Sequence, residues 1–365
     1  MTAKRQVDDR TFGKILASES TSESTSESTS GGAGVTRGLI AVGAALAPVA
    51  AGIAYSRLAV DHSASLPPAV EADRRTFLSP MAGEISYYVD EQGDGRPLLL
   101  VHSVNAGASA YEMSPFFDYY SRQRPVYALD LPGFGFSARG DRIYSTDLFT
   151  VALEDLLHEI GADKQGGADV IALSLGCEFA ARAAINHPEL IHSLVFISPT
   201  GLSTSAPEDR GRQPGISGRS RRLRALFAFP LWSQAFYDAL VSRPSLRYFL
   251  QRSFDGEVDP GLLEYAWSTT HQPGARFAPL YFISGQLFTP NASETLYARL
   301  TQPTLVIYDR DGFVNFDALP SLLGSHDNWQ AKRVAPTRGL PQFERLSDTT
   351  RTLQTFWSGA PVLRS

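Results

Sequence analysis

Ser174 stands in the run Ala172-Leu173-Ser174-Leu175-Gly176-Cys177, directly after the apolar stretch Asp169-Val170-Ile171 and directly before Glu178-Phe179-Ala180-Ala181-Arg182-Ala183-Ala184, which has a helical pattern. A serine on a sharp strand-to-helix turn holds its hydroxyl above the sheet, with the next backbone N–H beside it to receive negative charge on oxygen. That placement suits attack on a carbonyl carbon, provided a base can take the hydroxyl proton. Cys177, the only cysteine, rules out an internal disulfide and a cysteine-based zinc cluster. Three residues beyond Ser174 on the expected helix, it reads as a small buried thiol.

The elements that must position Ser174 come in a regular rhythm. Past residue 82, short apolar strands alternate with helical patterns, as in a mostly parallel sheet flanked by helices. Strands are expected over 84–90, 97–102, 125–130, 169–173, 193–198, 303–308 and 329–334, and helices over 147–160, 177–186 and 348–357. In open sheets of this kind chemistry gathers at the carboxyl ends of the strands, which here carry His102, Asp130, Ser174, Ser198 and Asp309.

The 365 residues are 43% hydrophobic and 19% charged, enough for one large domain with an insertion. A net charge of -5 offers no basic field for nucleic acid, so that class of partner is excluded. No metal site or cofactor motif is read from the sequence.

Residues 1–36 hold an Glu-Ser-Thr-Ser repeat with glutamates at 19, 23 and 27, a composition expected to stay disordered. Residues 37–57 are expected to form a transmembrane helix: the uncharged stretch 38–56, as helix, is roughly 28 Å long, just enough to cross a bilayer. A single-pass N-terminal membrane anchor, with membrane lipid as partner, is therefore the expected location. Secretion after signal cleavage near Ala45-Leu46-Ala47, and a cytoplasmic Ala/Gly tether, are the competing readings. Residues 58–81 are read as a linker, 82–201 and 301–358 as the body, and 202–300 as a helical cap inserted after the sixth strand.

Over roughly residues 82–358 the chain resembles the α/β-hydrolase fold superfamily. The resemblance rests on Leu100-Val101-His102, similar to the start of a His-Gly oxyanion motif, on Asp130-Leu131-Pro132-Gly133-Phe134-Gly135-Phe136-Ser137, similar to an Asp-x-Pro-Gly-x-Gly-x-Ser loop, on the Ser174 turn, and on Ser198-Pro199-Thr200-Gly201. Ala172 replaces the first glycine of Gly-x-Ser-x-Gly, and Ser103 stands where glycine usually follows the histidine. The resemblance implies an α/β fold with Ser174 as nucleophile and with oxyanion donors from Leu175 N–H and from the loop His102-Ser103-Val104, most simply Val104 N–H. His102 itself is read as a strand-end residue that shapes this loop.

For the acid, the resemblance points to Tyr308-Asp309-Arg310-Asp311-Gly312, with Asp311 preferred over Asp309 and a plain surface turn as the alternative for both. For the base, relatives place a histidine between the last strand and the last helix, and here that slot falls on Gly339, 28 residues beyond Asp311. Glycine cannot move a proton. Gln342 is no base, His326 precedes the last strand, and His271, in the inserted region, is the remaining substitute, with a packed structural histidine as its alternative. His62, His158, His187 and His192 are given no role.

The insertion carries Arg210, Arg212, Arg219, Arg221, Arg222 and Arg224, read as a solvated loop or a lipid-headgroup contact, followed by many aromatic residues that suit an apolar acyl or aromatic small-molecule substrate. Two functions are expected from these residues. One is a serine hydrolase acting on a lipophilic ester or related carbonyl compound. The other is a non-catalytic binding or scaffold protein that keeps the pocket and has lost proton transfer.

Overall fold

Eight strands form one twisted sheet in the order β1-β2-β4-β3-β5-β6-β7-β8. The computed structural model describes residues 50–203 and 218–362. The strands are β1 (Asp73–Ser79), β2 (Gly83–Asp90), β3 (Leu98–Val101), β4 (Val126–Leu129), β5 (Ala168–Leu173), β6 (Ile191–Ile197), β7 (Thr304–Arg310) and β8 (Trp329–Arg338). β1 and β2 pair antiparallel, as do β2 and β4, and every pairing from β4 through β3 to β8 is parallel.

The central strands are apolar on both faces because helices cover both. On one face Leu99, Val101, Val170, Ala172, Leu194 and Phe196 join a core with α2 (Thr146–Glu159) and α3 (Gly176–Asn186). On the other, Leu98, Leu100, Ile171, Leu173, Val195 and Ile197 pack with residues of α1 (Ser114–Tyr120) and of the C-terminal helix (Leu346–Trp357). Each fully buried Leu, Ile or Phe here contributes about 1.5–3 kcal/mol, so the sheet that carries the loops of the site is its most firmly held part.

Between β6 and β7 the chain forms α4 (Gly218–Phe227), α5 (Ser233–Leu240), α6 (Arg243–Gln251), α7 (Pro260–Thr270), α8 (Phe277–Ile283) and the short α9 (Ala292–Thr295). These helices pack on the loop after β3. A β-carbon on Gly107 would lie 3.3 Å from Ala266 and from Thr270, and the Tyr237 hydroxyl donates to the Ala106 carbonyl at 2.7 Å. After β7 come α10 (Leu319–Ser325), α11 (Pro341–Glu344) and α12, the Leu346–Trp357 helix already introduced.

Two expectations are corrected. Part of the expected linker, Asp73–Ser79, is the edge strand β1; it was hidden because five of its seven residues are polar, most of them are exposed, and it is held by backbone pairing with β2 rather than by an apolar face. The single-pass anchor over 37–57, and with it the membrane location and the lipid partner through 38–56, finds no support. Among the described residues no helix is long and apolar enough to cross a membrane. Residues 50–58 are helical, and buried Ser56 among them donates to Asp238 Oδ2 at 2.6 Å, which ties the segment to α5. Residues 38–49, the disordered-tail expectation for 1–36, and Arg210 and Arg212 lie outside the described residues.

Candidate active site

β5 ends at Leu173 and α3 starts at Gly176, so Ser174 takes the whole reversal, with φ +52°. A left-handed backbone at a non-glycine residue costs on the order of 1–2 kcal/mol and persists only where the surroundings enforce it. They do: Ser174 N–H donates to the Ile197 carbonyl at 2.9 Å, and the Ser174 carbonyl accepts from Cys177 N–H at 3.2 Å. Gly176 lets α3 approach the end of β3, since a β-carbon there would lie 2.6 Å from the His102 carbonyl oxygen. Ala172 is buried, paired with Val101 on one side and Phe196 on the other, where a small side chain suffices. The Ser174 side chain is half-buried, and among the described residues its Oγ has no hydrogen-bond partner. Cys177 is buried, donates to the Ala172 carbonyl at 3.2 Å, and burial raises its thiol well above the ordinary range.

The loop after β3 is fixed by two buried groups. His102 Nδ1–H donates to the Ser103 carbonyl at 2.5 Å, while Nε2 accepts from Leu131 N–H at 3.0 Å. Burial pushes this imidazole down to about 3, so it is a neutral strut between β3 and the loop after β4. Glu112, four per cent exposed, accepts Ser103 N–H at 2.8 Å, the Ser103 hydroxyl at 3.0 Å and Asn105 Nδ2 at 2.9 Å. Its carboxyl is raised by burial, which these three donors oppose. Ser103 N–H is thereby engaged, whereas no acceptor meets the N–H of Val104 or of Leu175 among the described residues. The loop after β4 is anchored by buried Asp130, which accepts Ala110 N–H at 3.1 Å and Phe136 N–H at 2.9 Å. Gly135, at φ +51°, is indispensable there because a β-carbon would overlap the Asp130 carboxyl.

The two aspartates after β7 have different environments. Asp309 is buried and accepts Arg333 Nε at 2.6 Å and Thr337 N–H at 3.0 Å. Burial alone would raise its carboxyl, but those partners outweigh it and hold the group below its usual range, as in a structural ion pair. Asp311 Oδ1 accepts Phe313 N–H at 2.7 Å and Val314 N–H at 3.2 Å, and burial lifts its carboxyl above the ordinary value despite both. Oδ2 of Asp311 has no donor among the described residues. The neighbour facing Oδ2 is Gly339, at φ +75°, where a β-carbon would lie 2.7 Å from Oδ2. Gln342 is buried, donates through Nε2 to the Glu112 carbonyl at 3.0 Å, and leaves its own Oε1 unpartnered.

No histidine bonds to Ser174. His271 ends α7, is five per cent exposed, stacks on Trp267 at 4.3 Å, and bonds through Nδ1 with the Trp267 carbonyl at 2.7 Å. His271, expected as a substitute base, makes no hydrogen bond to Ser174, and its Nδ1 is engaged within the insertion. Burial lowers its pKa, an effect the Trp267 carbonyl opposes. His326 Nε2 bonds with the Ala298 carbonyl at 3.0 Å rather than lying free in a turn. Two surface clefts, of about 490 Å³ beside Tyr111 and Asp118 and about 410 Å³ beside Leu66 and Arg139, are lined by neither Ser174 nor Asp311. No group of three or more metal-ligating side chains occurs among the described residues.

Residues 98–348 match the family model described as the alpha/beta hydrolase family. The chain belongs to that family. Within this alpha/beta hydrolase, a stretch of 155 residues, 41% of the chain, is 29% identical to 2-hydroxymuconate semialdehyde hydrolase of Pseudomonas sp. (strain CF600) and takes in 53% of that protein. A stretch of 149 residues, 40% of the chain, is 28% identical to human 1-acylglycerol-3-phosphate O-acyltransferase ABHD5 and takes in 37% of it. The chain thus spans about half or less of the curated relatives it matches. In fold it is similar to a thermophilic esterase from Thermogutta terrifontis, with a TM-score of 0.60 and 17% identity over 79% of this chain and 99% of that one. Glu112 was not anticipated from the sequence, whereas the approach of Gly339 to Asp311 joins the two positions that the resemblance assigned to base and acid. Glu112 follows Ser103 by nine residues with no spacing rule to mark it, and its only signal was that Ser103 itself departs from glycine.

Proposed function

We propose that the protein is a serine hydrolase that transfers an acyl group from a lipophilic ester or related carbonyl compound to Ser174 and then to water. Ser174 Oγ attacks the carbonyl carbon, and the N–H groups of Leu175 and Val104 receive the charge that develops on oxygen. The observation that carries this reading is the enforced φ of +52° at Ser174, followed directly by the Leu175 N–H, which like that of Val104 has no acceptor among the described residues. Strain of this kind is retained where a side chain must be aimed. Asp311 serves as the acid that orients a base, its carboxylate fixed by Phe313 and Val314 N–H and turned toward the empty base position at Gly339. The aromatic insertion, with rings such as Phe227 and Phe236 stacked 4.7 Å apart, supports an apolar acyl or aromatic substrate. The relatives' names, a semialdehyde hydrolase and an acyltransferase, agree with carbonyl chemistry.

A non-catalytic binding role is the second reading, favoured by one observation: Ser174 Oγ lacks a basic partner. A series of p-nitrophenyl esters of increasing acyl length separates the two. With imidazole added as a base, the hydrolase reading predicts turnover above the solution rate that rises with acyl length and disappears in Ser174→Ala. Turnover equal in wild type and Ser174→Ala contradicts it.

A further inference from the structure

The position that a histidine would fill is not merely bare. Asp311 Oδ1 is held by two backbone N–H groups, 2.7 and 3.2 Å away, so the carboxylate cannot turn freely. Its other oxygen faces Gly339, whose missing side chain would have begun 2.7 Å away, and the next atom beside that point is Ser253 Cβ at 3.6 Å. Arg252 favours the Asp311 carboxylate through its charge but makes no hydrogen bond to this oxygen. Its Nη2 donates to the Gly312 carbonyl at 2.7 Å and its guanidinium lies over the Phe313 ring at 5.1 Å. A fixed, half-buried carboxylate oxygen with no donor calls for an N–H from outside the chain. Asp311 follows β7 and Ser174 follows β5, with β6 between them, so the two loops leave their strands about 10 Å apart. An imidazole-sized group hydrogen-bonded through one nitrogen to each side chain spans about 8 Å, of the order of that separation.

We propose that this position receives a basic N–H group supplied by the ligand, so that the protein acts on carbonyl substrates that carry their own imidazole-like base. This rests on Ser174 being the nucleophile. The ligand's N–H donates to Asp311 Oδ2, and a second nitrogen of the ligand takes the Ser174 hydroxyl proton. Oγ bonds to the carbonyl carbon as the π pair moves onto the carbonyl oxygen. On collapse, the C–X bond breaks and the leaving group X takes the proton back from the nitrogen. The base lies on the acyl portion and so stays after X departs: its nitrogen takes a proton from the water that attacks the acyl ester and gives it to Ser174 Oγ as the acid is released.

The test uses free imidazole as the probe base and reads the mass tag left on Ser174 by a fluorophosphonate, a readout that hydrolysis in solution does not mimic. At about 50 mM imidazole the rate of tagging should rise at least about tenfold. 1-Methylimidazole, equally basic but with no N–H to give Asp311, should accelerate far less, and Asp311→Asn, which keeps an acceptor for Phe313 and Val314, should abolish the imidazole effect. Equal acceleration by both bases, or none by imidazole, overturns the inference while leaving Ser174 as nucleophile. Fast tagging in buffer alone that Asp311→Asn removes also overturns it, by making Asp311 the base. A chain never tagged in any mixture overturns both the inference and the hydrolase reading.

Discussion

Glu112 offers the sharpest test of how the oxyanion loop is aimed. Its carboxylate accepts three donors, of which Ser103 N–H is fixed in direction and Asn105 Nδ2 is held by the amide's bonds to Gly107 N–H and Ser103 Oγ, whereas the Ser103 hydroxyl can rotate. In Glu112→Gln one amide oxygen can keep Ser103 N–H while its NH2 is accepted by the turned hydroxyl, and the desolvation of a buried charge is relieved. Stability should therefore change by no more than about 1 kcal/mol. Glu112→Leu leaves Ser103 N–H and the Ser103 hydroxyl without their acceptor, at about 1–3 kcal/mol each, while Asn105 Nδ2 keeps Ser103 Oγ at 2.8 Å, and it frees the loop that carries Val104. A full oxyanion donor is worth about 3–4 kcal/mol in the transition state. A misaimed one should forfeit part of this, so fluorophosphonate tagging of Ser174 should slow by about 10–100-fold in the Leu variant and by less than about threefold in Gln. Thermal melting identifies the folded fraction in each. A folded Glu112→Leu protein tagged at the wild-type rate would refute the argument that Glu112 aims Val104 N–H.

Gly339→His should restore a base at a measurable cost. Its φ of +75° and the 2.7 Å approach to Asp311 Oδ2 make the variant less stable by about 1–2 kcal/mol. Yet tagging of Ser174 should accelerate by about a hundredfold with an inflection near the ordinary histidine pKa; a folded variant with no acceleration would show that Asp311 is not the acid. His102, held neutral at about 3 against an ordinary 6.5, makes stability depend on pH. Below about 6.5 the unfolded chain takes up a proton that the folded one refuses, so stability falls toward pH 3 by about 1.4 kcal/mol per unit. Buried Glu112, Asp130 and Glu178 are raised and pull the opposite way, but they do so equally in wild type and in His102→Asn. The difference in unfolding free energy between the two proteins should therefore shrink as pH falls from 6.5 to 4, and a constant difference would contradict the buried neutral strut.

The motifs legible in the sequence are those whose backbone conformations admit few residue types. Gly135 beneath Asp130 and Gly176 beneath His102 leave no room for a β-carbon, so the loops they mark keep the motifs on which the resemblance rests. The parallel strands were legible because burial on both faces writes them as uninterrupted apolar runs. β1 was not, since an exposed edge strand needs backbone partners rather than an apolar pattern. Nor could spacing decide between Asp309 and Asp311: Arg333 and Thr337, which claim Asp309, arrive from β8 more than twenty residues later. His271 looked available because the sequence shows its ring but not Trp267 and its carbonyl, which occupy it.

The reactivity of Ser174 is the claim on which the rest depends, and intact-protein mass spectrometry after fluorophosphonate treatment in imidazole buffer measures it directly. The account predicts one adduct per chain, mapped to the peptide bearing Ser174 and absent from an equally stable Ser174→Ala protein. An unmodified wild-type chain, or an adduct that persists in Ser174→Ala, would contradict it.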